Sequence, residues 1–266
     1  MVLTQAAMQA FEGAFSAPQP LVINRDGVSP VIVVCEHASC FIPPALNSLG
    51  LDADSLKSHI AWDPGAFAVA EGISNRLDAV LVASQVSRLV YDCNRPPDAE
   101  GAVPAKSEVF DIPGNQNLGQ AERDIRIAQV YEPFRASLAA VIAAAPPPAV
   151  IVTIHSFTPV YDGKARDVEL GILHDSDARL ADAMLANTHW HTTLDVRRNQ
   201  PYGPDDGVTH TLRENAVRAG LHNVMIEIRN DLITTPREQD AMAATLSGWI
   251  ISALRELGIA IPGEEA

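Results

Sequence analysis

VIVVCEHASC, residues Val31 to Cys40, decides how the chain is read. Its first half is an unbroken run of apolar, mostly β-branched residues, the composition of a strand buried on both faces. The run then ends on Glu36 and His37, a carboxylate beside an imidazole, with thiols at Cys35 and Cys40. A core strand has no use for such an ending, so the polar pair points to chemistry at the strand's carboxyl end.

Short apolar runs of the same kind recur as AVLVAS (79–84), AVIVTIH (149–155), VELGIL (168–173) and NVMIEIR (223–229). Helical patterns fall between them. One spans 64–77, with Asp63 as its N-cap and Pro64 at the first helical position. A second runs from Gln120 to Ala145, where PPP at 146–148 stops it. Others cover Asp177 to Ala186, Thr209 to Ala219 and Arg237 to Leu257. This alternation predicts one α/β domain over residues 1–266, a mainly parallel sheet packed between helices. Two stretches rich in Gly, Pro, Asp and Asn, 94–119 and 199–207, read as functional loops.

Composition narrows the class. With 266 residues, 47% hydrophobic and 20% charged, the chain is long enough and apolar enough to bury a full core. A net charge of −14 argues against nucleic acid or an anionic membrane as partner, since both need a basic face. Three cysteines, odd in number and sparse, imply no disulfide framework and favour a reducing cytoplasm. The N-terminal MVLTQAAMQAFEGAF has no basic start to a signal peptide, and no apolar run reaches the roughly 20 residues of a membrane helix. A homo-oligomer is left open.

In open α/β sheets ligands bind beyond the carboxyl ends of the strands. The first strand ends in Glu36-His37, the third in His155-Ser156, and the last carries Glu227 and Arg229, with Asp63 between the first two. Two histidines and a carboxylate with an open position form a common catalytic zinc set, and zinc acidifies water toward neutrality. The structural alternative for each residue alone is capping or core satisfaction. In SRLVYDCNRPP (87–97), Arg88, Asp92, Asn94 and Arg95 cluster after a strand: an Arg fork with the Asn amide could hold a substrate carboxylate at two points, or an Arg–Asp bridge could be structural. Glu227 inside VMIEIR is costly to bury without a role, and burial would raise its pKa toward that of a useful general base. An ion pair with Arg229, two residues along on the same strand face, is the alternative. The histidines around Trp190, His189 and His191, are a weaker metal pair, and His59, His174 and His222 read as structural. Cys35 lies in an apolar strand where thiols are usually inert.

Taken in order, CEHAS, WDPGA, SRLVYDCNRP, HSFTP, NQPYGPDDGVTHTL and VMIEIRNDL resemble the N-formylglutamate amidohydrolase family from about Val31 to Leu257. The resemblance implies a fold similar to the zinc carboxypeptidases and aspartoacylases. That fold is a three-layer, mixed and mainly parallel sheet between helices, phosphorylase/hydrolase-like and zinc-peptidase-like. It implies a metal-dependent hydrolase of a linear amide, releasing formate from N-formyl-L-glutamate in histidine breakdown. Carried over, His37, Asp63 and His155 would hold Zn2+ or another divalent metal, and Glu227 would be the base. Asn94 and Arg95, helped by Arg88 or Arg229, would hold the substrate's carboxylates, and His210 would touch the substrate. The related peptidases use His-x-x-Glu, which is absent after His37, so Glu36 competes with Asp63 as the carboxylate ligand; with Asp63 favoured, Glu36 would orient an imidazole. Two rivals stand beside this expectation. One is a deacylase or peptide amidase of the same fold, and the other a non-catalytic protein binding small acids.

Overall fold

The computed structural model describes residues 15–263. Its sheet starts with two strands, β1 (Leu21–Ile23) and β2 (Val31–Cys35), the second buried along its whole length. Helix α1 (Ala66–Leu77) and β3 (Val80–Ala83) follow, then a small ribbon of β4 (Lys106–Ser107) and β5 (Phe110–Asp111). The helix expected over 120–145 forms as α2 (Gln120–Arg126) and α3 (Glu132–Ala144), joined by a π-helical turn at Ile127–Tyr131. Next come β6 (Val150–Phe157), a second ribbon of β7 (Val160–Tyr161) and β8 (Lys164–Ala165), and β9 (Leu170–Leu173). The chain closes with α4 (Arg179–Ala186), α5 (Thr188–His191), β10 (Val196–Arg198), α6 (His210–Asn215), β11 (His222–Arg229) and α7 (Pro236–Glu256).

The seven-stranded sheet runs β1-β3-β2-β6-β11-β9-β10. Its four central strands, β3, β2, β6 and β11, are mutually parallel. β1 joins antiparallel at one side, and β9 lies antiparallel to β11 and parallel to β10 at the other. The sheet is therefore mixed and mainly parallel, as expected. Alternation along each strand splits the core into two layers. Val31, Val33, Ile154 and Ile226 pack toward α1, α4 and α7, while Ile32, Val34, Ile151 and Met225 pack toward α3. Trp249 of α7 is fully buried in the first layer and donates its indole N–H to Met184 O at 2.7 Å.

One expected detail changes. α1 begins at Ala66 with Gly65 before it, and no side chain caps it. Asp63 supplies only a backbone carbonyl to Ala66, so its carboxylate is released for the centre described below. The edge strands β1 and β10, three residues each and only partly buried, have no expectation from the pattern.

Candidate metal centre and active site

Register builds the site. Glu227 of β11 is paired with His155 of β6, so both side chains leave the same face of the sheet near its carboxyl edge. β2 lies on the other side of β6, and the chain leaving it carries Glu36 and His37 to the same edge. Asp63 is brought in by its own backbone, whose N–H donates to His37 O at 3.0 Å.

His37, Asp63 and His155 are all buried, and one ligand atom from each lies within 4.8 Å of the others. Asp63 Oδ2 is 2.9 Å from His155 Nδ1 and 3.3 Å from His37 Nδ1, and accepts the Ser156 N–H at 3.2 Å. The far nitrogens face other carboxylates: His37 Nε2 is 2.7 Å from Asp92 Oδ1, and His155 Nε2 is 3.1 Å from Glu36 Oε2. The second contact is an ion pair outside hydrogen-bonding geometry, since His155 Nε2 and both Glu36 oxygens have no hydrogen-bond partner in the described structure. Arg88 bridges the anions, giving Nη2 to Asp92 at 2.9 Å and Nη1 to Asp63 at 3.3 Å.

Two imidazoles with carboxylates behind them turn their Nδ1 atoms toward a third carboxylate. If the Nε2 atoms carry the protons, three electron pairs converge, and only a proton or a cation can occupy that space. The electrostatics agree. Burial alone would lower the imidazole pKa values, yet carboxylates outweigh it: Asp92 and Asp63 raise His37, and Glu36 and Asp63 raise His155 well above the ordinary range. Burial would likewise raise Asp63, but the two histidines hold it far below a usual aspartate. The set of two nitrogens and one oxygen, with space on the cavity side, fits a divalent ion such as zinc.

The centre floors a cavity of about 340 Å³, at the small end for ligand pockets. Glu227 lines it, and its Oε2 has no hydrogen-bond partner among the described residues. Burial, reinforced by the Asp63 charge, lifts its pKa from 4.5 to about 7 against the pull of His155. Arg88, Asn94 and Arg95 also line the cavity. The amide of Asn94 is already engaged, donating to Val208 O and accepting from Thr211 N, so it fixes the opposite loop. Arg95 donates one N–H to Asp206 O at 2.6 Å and, among the described residues, pairs with no carboxylate. Gly207, at φ 69°, leaves room for this, because a Cβ there would lie 2.6 Å from Arg95 Nη1.

Three sequence expectations shift. Arg229 does not line the cavity: Asp231 at 2.8 Å and Glu169 at 3.3 Å draw its guanidinium away, and no ion pair joins it to Glu227. His210 also lies outside the lining, its Nε2 2.8 Å from the Tyr131 hydroxyl. Glu36 sits behind His155 instead of among the converging ligand atoms, which the structure takes from Asp63. Conversely, His59 is part of the wall, held by Glu108 at 2.8 Å. Tyr202 was not singled out from sequence. Asp92 was, as the partner in a structural Arg–Asp bridge, and it does pair with Arg88 while accepting the Asn94 N–H at 2.9 Å. Burial raises the Cys35 and Cys93 thiols, leaving poor nucleophiles.

The sequence model described as N-formylglutamate amidohydrolase matches residues 29–234. Among solved structures, the gene product Atu2144 from Agrobacterium tumefaciens is 54% identical, with a TM-score of 0.88 over 93% of this chain and 98% of that one. The N-formylglutamate amidohydrolase from Ralstonia eutropha JMP134 is 18% identical, with a TM-score of 0.56 over 90% of this chain and 97% of that one, a likeness of fold. No curated protein matches.

Proposed function

From the premise that the chain belongs to the N-formylglutamate amidohydrolase family, we propose that it is a zinc-type amidohydrolase that cleaves N-formyl-L-glutamate to formate and glutamate. The observation that carries this reading is the convergence of His37, Asp63 and His155 beneath Glu227 in one cavity.

His37, Asp63 and His155 would hold the ion, with Asp92 and Glu36 fixing the two imidazole rings from behind. When bound, a divalent cation supplies Lewis acidity to the amide carbonyl and acidifies water. Glu227 is the base. With a pKa of about 7 it is substantially ionised at neutral pH and takes a proton from the water that attacks the formyl carbon. The C–N bond then breaks, and Glu227 returns that proton to the leaving amine nitrogen. Arg88, fixed at the wall by Asp63 and Asp92, faces the negative charge that develops on the carbonyl oxygen. Arg95, whose charge meets no carboxylate in the described structure, receives a carboxylate of the substrate.

The global charge of −14 does not attract such a dianion, so the local cations must do so at short range. The free thiols of Cys35, Cys40 and Cys93 are in keeping with a reducing cytoplasm, where formate release would belong to histidine breakdown.

Metal analysis of the purified protein, with formate release from N-formyl-, N-acetyl- and N-carbamoyl-L-glutamate, tests the reading. About one equivalent of zinc and a clear preference for the formyl compound are expected. Turnover that survives complete chelation sinks the metal site, and a preference for the acetyl compound makes the enzyme a deacylase.

A further inference from the structure

Arg166 is a cation that the mechanism so far leaves unused. Its guanidinium carbon lies 4.5 Å from the Tyr161 ring centroid, 4.8 Å from Tyr202 and 5.6 Å from Phe157, and all three rings line the cavity. Its guanidinium donates from Nη1 to Thr158 O at 3.4 Å, again at a lining residue, and among the described residues it pairs with no carboxylate. Aromatic faces attract a cation but leave its hydrogen-bond donors unsatisfied. The segment is held from behind, where Arg229 donates to the carbonyls of Arg166 and Asp167 at 3.4 and 3.2 Å. This gives Arg229 its place in the fold, as an anchor of the segment that carries Arg166.

Charge accounting around the cavity sharpens the point. Arg88 is matched by Asp63 and Asp92, whereas Arg95 in the cavity wall and Arg166 directly behind the lining rings pair with no carboxylate among the described residues. Burial pushes the Tyr202 phenol up to about 12, so it stays protonated and able to donate beside Arg166.

We propose that Arg166, with the Tyr202 hydroxyl beside it, receives the second, side-chain carboxylate of the substrate and makes the enzyme selective for acidic amino acids. This rests on the amidohydrolase reading above. One carboxylate goes to Arg95, the other to the guanidinium framed by Phe157, Tyr161 and Tyr202.

The test is the ratio of kcat/KM for N-formyl-L-glutamate to that for N-formyl-L-glutamine, which differs by an amide in place of the carboxylate. Wild type should favour the glutamate, and Arg166→Met should lower the ratio by about 10- to 100-fold, the loss expected for a hydrogen bond to a charged group. Arg166→Lys should recover part of it. Tyr202→Phe, which keeps the ring, should lower the same ratio by a smaller factor and serves if Arg166→Met does not fold. A ratio unchanged in these variants, or a wild type that treats both substrates alike, overturns the assignment of Arg166 alone. A wild type that hydrolyses neither overturns the amidohydrolase reading and this inference with it.

Discussion

Glu227 and His155 are register partners across the parallel pair β11 and β6, so the sheet itself sets the spacing between the carboxylate at the cavity and an imidazole at the ion site. Neither side chain depends on a loop for its position. A base and an imidazole held on two adjacent central strands are placed more rigidly than groups on loops, which suits a base that must meet water in one geometry.

That placement separates two roles which a single substitution can test. Glu227→Gln keeps the shape but cannot take a proton. It should retain its zinc at wild-type stoichiometry while kcat falls by about 10²- to 10⁴-fold, the range for loss of a general base. Metal analysis and formate release on the same preparation check it. Loss of the ion in this variant would move Glu227 from base to ligand.

The pH dependence has a definite sign. Glu227 must be ionised to act, so kcat/KM should rise with pH through a midpoint at or below about 7, since a bound cation draws its pKa down. In chelated protein the linkage runs the other way. Burial raises the folded-state pKa above 4.5, so the associated stability is present below about pH 4.5 and lost as pH rises through about 7. The full loss is about 3 kcal/mol from this group. His37 and His155, also raised, add in the same direction. Melting temperatures of the chelated protein should therefore fall across this range, and fall less in Glu227→Gln.

Asp92 offers a test that needs no turnover. It holds His37 Nε2 at 2.7 Å and is itself fixed by Arg88 at 2.9 Å. Burial would raise its pKa, but His37 and Arg88 keep it ionised, so it can orient the ring and increase its basicity. Asp92→Asn should weaken zinc binding by about 10- to 100-fold in competition with a chelator. Unchanged affinity would mean that the ring is positioned by packing alone.

The parts of this centre differed in how visible they were in the sequence. β2, β6 and β11 were legible because strands buried on both faces must be apolar throughout, which makes His37, His155 and Glu227 conspicuous. Asp63 was legible as a residue but not in its local role, because an acid before a helix looks like a cap until a backbone bond to His37 O turns it elsewhere. For Arg229 the alternation held along the strand, but at the strand end Glu169 and Asp231 compete for a long side chain, and periodicity carries no information about them. Arg166 and Tyr202 lie outside the long strands and helices, and their meeting depends on how two distant segments fold over the sheet.

Gly171 provides the last prediction, because it governs how one of those segments approaches. It faces Glu227 from β9, and a Cβ built there would lie 2.0 Å from the carbonyl oxygen of Gln200. That oxygen is backbone, so the clash cannot be relieved by a rotamer, and the 199–203 segment would have to lift from the sheet. Tyr202, two residues on, would move with it and away from Arg166. Gly171→Ala should therefore destabilise the protein by about 1–3 kcal/mol in urea unfolding. It should also lower kcat/KM for N-formyl-L-glutamate beyond what the fraction folded explains, with zinc stoichiometry preserved because His37, Asp63 and His155 stand on other segments. Wild-type kinetics in this variant would show that the close approach of Gln200 to β9 has no part in forming the substrate cavity.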